Sequence, residues 1–193
     1  MMDQLRLAAQ KKAQEERTKP QRSHLILLDD TDETKTWDIY EEEQTLLITS
    51  SQSSTSPIFE SVAKHVMKHG DLVDYVAIDI NGDMFPNMDE DKTQRTALNL
   101  DEALALSSYL AAELQHRVST NEWEQELLLL IKDGDNLFTI KEVDKADLYM
   151  EMLENVQAII VAGALFGIKV LMETKTKPAD TENNDFKNVI HFT

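Results

Sequence analysis

Cysteine is absent from the 193 residues. That removes disulfides and thiolate metal sites as sources of stability or chemistry. Glycine occurs five times and proline four times, and so few chain breakers favour helices over a loop-rich catalytic architecture. No glycine-rich phosphate loop is present, nor a G-x-S-x-G serine. No apolar run reaches the roughly 20 residues that cross a bilayer, and the N-terminus lacks the apolar core of a signal peptide. The expectation is a cytosolic or virion protein with no membrane partner.

Positive charge is also scarce. Lys and Arg number 19 against 36 Asp and Glu, a net charge of −17. The imbalance is uneven: residues 1–23 hold six basic and three acidic side chains, so the remainder carries −20. Such a body repels nucleic acid and stays soluble. A solvated surface explains the acidity most simply. The sharper alternatives are an acidic surface that meets a basic partner and a decoy that imitates DNA phosphates.

What is present begins with an apolar fraction of 41%, enough for a core. The stretch 144–174 reads as one long helix. Asp144 is a good N-cap, Asp147 adds negative charge where the helix dipole is positive, and Tyr149, Met152, Leu153, Val156, Ile159, Ile160, Phe166, Val170 and Leu171 recur at helical spacing. Lys169, Lys175 and Lys177 gather towards its end, and Pro178 stops it. Thirty helical residues would span about 45 Å. Residues 158–168 are apolar on every face, which implies burial all round. Gly163 and Gly167, four apart on that helix, would let another helix approach closely beside Phe166.

The rest of the chain divides at its polar stretches. Residues 1–22 read as a basic helical arm with Arg6, Lys11 and Lys12, too short to be stable alone in water. Residues 23–95 form a small α/β region. In it, 24–28, 37–39, 46–49 and 72–80 read as strands, and 58–69 reads as a helix. Asn81-Gly82 is a strong hairpin signal. Residues 96–177 are mainly helical, with a convincing helix over 98–118 that has Asn99 and Asp101 near its start; 137–140 reads as a short strand. Residues 178–193 form a polar tail whose last apolar group, with Ile190 and Phe192, is suited to adding a strand to a sheet edge.

A search for chemistry assembles no site. His65 and His69 have metal-ligand spacing, but the glutamate that would make a zinc protease motif is missing and Lys64 and Lys68 oppose a cation. Asp79, Asp83 and Glu90 are spaced wrongly for a calcium loop. Asp133, Asp135 and Asn136 read as a turn. No catalytic residue, metal ligand or cofactor is assigned.

From Asp89 to Met172 the order is a polar D-E-D-K-T-Q segment, an alanine-rich helix, a tryptophan, a D-G-D-N turn, a short strand and V-D-K-A-D-L opening a helix. The matching positions are Asp89 or Asp91, Thr93, Gln94, Trp123, Asp135, Asn136, Asp144, Ala146, Asp147 and Leu148. This resembles a domain of unknown function in phage tail-fibre-associated proteins. The resemblance covers less than half of the chain and implies a virion tail component without known catalysis.

The sequence reading is therefore an α+β fold. A small, mostly antiparallel sheet from the N-terminal half packs beside helices of the C-terminal half, one of them long and buried. The function it favours is a non-enzymatic structural or adaptor component of a phage virion, found in the virion and in the host cytoplasm during assembly. Its partners would be further copies of itself and other virion proteins, through Gly163, Gly167, Phe166, Arg6, Lys11, Lys12, Ile190 and Phe192. The alternatives are an acidic inhibitor or DNA mimic bound to a basic enzyme surface and, third, a small enzyme without a local motif.

Overall fold

Three segments, T-L-L-I, E-L-L-L-L-I and I-K-V-L-M-E-T, are dense in apolar residues, as strands buried on both faces are. The structure, a computed structural model, makes them the centre of one sheet. It describes residues 25–29, 34–38, 44–49, 56–68, 73–84, 96–123, 125–137, 146–175, 186 and 188–191. In chain order the elements are β1 (Leu25–Asp29), β2 (Thr34–Asp38), β3 (Thr45–Ile48), α1 (Ser56–Lys68), β4 (Val73–Ile78), β5 (Thr96–Ala97), α2 (Leu100–Thr120), β6 (Glu126–Ile131), α3 (Gly134–Leu137), α4 (Ala146–Ala162), a 3-10 turn (Gly163–Phe166), β7 (Ile168–Thr174) and β8 (Asn188–His191).

Six strands form a sheet in the order β5-β4-β6-β7-β3-β8, and every pairing in it is parallel. The small, mostly antiparallel sheet expected from the N-terminal half is thus incorrect. Among the described residues only β1 and β2 pair antiparallel, as a separate two-stranded unit. Strands from both sides of Arg95 alternate in the main sheet, β4 lying against β6. The physical reason is double-sided burial. Leu128 and Leu130 of β6 face one core with Leu47 and Leu171, while Leu129 and Ile131 face the other with Leu46, Val170 and Met172.

Each core has its own cover. On one face, α1 buries Ile58, Phe59, Val62, Ala63 and Val66, a stripe at helical spacing, beside Trp37 of β2. Trp37 donates its indole N–H to the Thr45 hydroxyl at 2.9 Å. On the other face lie α2 and α4. α2 starts at Asn99, whose side chain accepts from the Glu102 N–H at 3.0 Å, while Glu102 reaches back to the Leu98 N–H at 2.8 Å. This reciprocal arrangement is close to a capping box. α4 with the 3-10 turn is long and apolar enough to cross a membrane. Its Met152, Val156, Ile159 and Ile160 are buried against the sheet and α2, which is the setting of a core helix.

The single helix over 144–174 is a second correction. α4 ends at Ala162, and from Ile168 the chain is the strand β7. Gly167 adopts φ 71°, a left-handed conformation that suits glycine, and its N–H closes the turn on the Gly163 carbonyl. The run is apolar all round because a helix end and a central strand are buried in succession. The Asn81-Gly82 hairpin is a third correction: the turn exists, with Gly82 at φ 72°, but β4 pairs in parallel with β5 and β6. The strand expected over 137–140 overlaps α3 at Leu137, and its other residues lie outside those described.

Candidate functional site at the carboxyl edge of the sheet

In an open parallel sheet, ligands bind beyond the carboxyl ends of the strands, where neighbouring connections diverge. β3 leads through α1 to β4, three places along in one direction, whereas β7 leads to β8 on the far side of β3. The crevice between β3 and β7 is therefore the switch point.

Four loops meet there. Thr49, just past β3, donates its N–H to the Thr174 carbonyl at 3.0 Å and its hydroxyl to Glu173 Oε1, also at 3.0 Å. Glu173 is 2% exposed and accepts at its other oxygen from the Asp133 N–H at 3.4 Å. The loop after β6 sits hard against β7: a Cβ on Gly134 would lie 2.9 Å from the Glu173 carbonyl oxygen. The Lys175 N–H is accepted by Asp135 at 2.5 Å.

The loop after β4 adds a charged pair. Lys132, 8% exposed, reaches Asp83 at 2.6 Å. Asp79 is buried and accepts from the Gly82 and Met84 N–H groups at 3.0 and 2.6 Å. Burial raises its pKa, and the nearby Asp83 charge raises it further; these backbone hydrogen bonds and Lys132 oppose the rise. Asn81 donates to Asp133, closing the gap between the two loops. The edge thus gathers Asp79, Asp83, Asp133, Asp135 and Glu173 around Lys132 and Lys175.

The interaction residues expected from sequence fall elsewhere. Gly163, Gly167 and Phe166 lie at the opposite, amino edge. A Cβ on Gly163 would come within 2.5 Å of the Ile168 carbonyl, and one on Gly167 would meet the Trp123 ring, so the close approach is within this chain. Ile190 lies on β8, which pairs with β3 at the edge of the chain's own sheet. Arg6, Lys11, Lys12 and Phe192 lie outside the described residues. Sequence reasoning missed Thr49, Lys132 and Glu173 as a group. The available signal was polar residues directly after apolar strands, but nothing local shows that those strands are neighbours.

No protein-family model matches the chain, and no curated protein is similar to it in sequence. Solved structures are similar in fold. The pCW3 conjugation coupling protein TcpA, in its monomer form with ATPgS, superposes with a TM-score of 0.67 at 14% identity, over 87% of this chain and 52% of that one. The cytoplasmic domain of the Thermomonospora curvata type VII secretion ATPase EccC gives 0.59 at 12% identity, over 79% and 18%. The cytoplasmic domain of EssC gives 0.53 at 11% identity, over 89% and 37%. The chain spans about half the length of the first and much less of the others.

The fold is therefore a parallel α/β fold shared with these ATPase structures. This overturns the expectation of a non-enzymatic structural or adaptor component of a phage virion, because the likeness is to conjugation and secretion ATPases and not to tail proteins. The difference has a physical origin: the fold brings together residues of distant strands at one edge, a juxtaposition that no local motif displays.

Proposed function

We propose that the chain is a motor-like domain of the ATP-binding type, handling nucleotide at the β3–β7 crevice together with a neighbouring domain of an assembly. The observation that carries this reading is the switch-point crevice of a fold shared with a conjugation coupling protein and secretion ATPases. The residues of this chain set how the site would work. Residues 49–56, which join β3 to α1, read T-S-S-Q-S-S-T-S. They carry neither the glycines that let a backbone cradle phosphates nor the lysine that reaches them.

Charge points the same way. Lys132 is engaged by Asp83, and among the described residues of this edge the five carboxylates outnumber the two lysines. A triphosphate approaching it meets like charge at short range, which is costly where solvent screening is poor. A neighbouring domain would supply the missing cations, as an arginine acting in trans does in other phosphoryl-transfer sites. The further copies of the chain expected from sequence are one such neighbour.

The test is titration of a fluorescent ATPγS analogue against the full chain, with the assembly state followed by sedimentation. Binding should be weak for the dilute monomer and at least about tenfold tighter where the chain is assembled. Nucleotide binding absent from both states would refute the proposal.

A further inference from the structure

The amino edge holds a cavity of about 460 Å³ lined by Glu113, His116, Arg117, Glu122, Trp123 and Gln125. It lies where the end of α2 meets the start of β6, at the opposite end of the sheet from the crevice. Its one buried cation is already committed. Arg117, 4% exposed, bonds Glu113 through Nε at 2.7 Å, and the Phe166 and Gly167 carbonyls through Nη1 at 3.1 and 2.9 Å. A guanidinium held in this way is a poor receptor for an added anion.

Two carboxylates line the cavity, and a third lies close by. Glu122 is exposed, Glu113 is half-buried, and Glu126 stands behind Trp123, accepting from the indole N–H at a long 3.5 Å. The other Glu126 oxygen is buried and has no hydrogen-bond partner among the described residues. The Trp123 ring is half-buried and braced edge-on by Phe166, with centroids 6.3 Å apart. An aromatic face beside surplus carboxylates is a receptor for a cation, and the net charge of −17 steers cations towards the molecule.

We infer that this cavity binds the cationic side chain of a lysine- or arginine-bearing peptide segment, with Trp123 as the platform and Glu122 as the counter-charge. The inference is independent of nucleotide handling at the other edge. It is tested by fluorescence anisotropy of labelled Gly-flanked peptides that differ only in a central Lys, Arg or norleucine, titrated with the full chain. Lysine and arginine peptides should bind saturably, and the norleucine peptide at least about tenfold more weakly. Glu122→Lys, at an exposed position, should cause a comparable loss while leaving the circular dichroism unchanged. Trp123→Leu should abolish the preference for a cation; if that variant fails to fold, Glu122→Lys decides alone. Equal affinity for the lysine and norleucine peptides, no binding at millimolar peptide, or a Glu122→Lys chain that binds as well as the parent each overturns the inference.

Discussion

The two ends of the sheet are closed by different means. At the amino edge, backbone meets backbone through residues that cannot grow. Gly163 lies against the Ile168 carbonyl, Gly167 lies under Trp123, and Gln44 inserts its amide between α4 and β7. Gln44 donates to the Ile159 and Ile168 carbonyls at 2.9 and 3.3 Å and accepts from the Val170 N–H at 2.5 Å. At the carboxyl edge Gly134 also abuts the Glu173 carbonyl, but side chains add much of the closure, with Glu173, Asp133, Asp135 and Asp79 accepting from the loops. The amino edge is therefore closed mainly by the framework itself, and the carboxyl edge in larger part by the side chains of its loops. A buried polar network that fills every valence resists change, whereas loop contacts rearrange at lower cost.

The sharpest way to break this contrast is at Gly167. A leucine there would combine a positive φ with collision against Trp123, so a loss of roughly 3–5 kcal/mol is expected. Urea denaturation measures it, and sedimentation should show no change in mass at native concentrations, because the contact is internal. Dissociation of an assembly without loss of monomer stability would place the glycine at a subunit contact instead.

A smaller effect compares the two edges directly. Gln44→Leu leaves buried backbone groups of Ile159 and Val170 unpaired, and should cost about 2–4 kcal/mol. Thr49→Val at the carboxyl edge removes one bond to Glu173 and should cost about 1–2 kcal/mol. Comparable losses in paired melting curves would mean that the carboxyl edge is as much a part of the framework as the amino edge.

The smallest expected effect is a pH slope at Asp79. Burial raises its pKa in the folded state, so the folded chain keeps this proton to a higher pH than the unfolded chain does. The associated stability is present below the unfolded value and is lost as pH rises through the raised one. Asp79→Asn cannot titrate. Its stability relative to the parent should therefore rise as pH climbs from the ordinary carboxylate value of about 4 through the raised one, read from urea midpoints. A difference that stays flat would show that the two backbone N–H donors hold the carboxylate at its ordinary pKa.

Much of the secondary structure was legible in the sequence. Helix α2 announced itself through Asn99 and a regular apolar spacing, and the observed range, Leu100–Thr120, lies within two residues of the expected one. β3, β4 and α1 were also visible, and the apolar end of the tail did become an edge strand. The region 163–174 was not legible. A strand buried on both faces and a buried helix share the same lack of polar periodicity, and Lys169 looked like a helix-terminal charge although it is 7% exposed within β7.

The candidate site was the least legible part. Thr49 and Glu173 are 124 residues apart, and no spacing rule connects them. The sequence by itself determined which segments are apolar enough to be central strands, where α2 begins, and that the molecule is strongly acidic. Those properties follow from side-chain chemistry and local backbone preference. Only the tertiary structure decided that the strands run parallel, that β7 lies between β6 and β3, and that their carboxyl ends meet. Strand order is set by crossovers that bury both faces of a whole sheet, and that free energy belongs to contacts between distant residues rather than to any one stretch of chain.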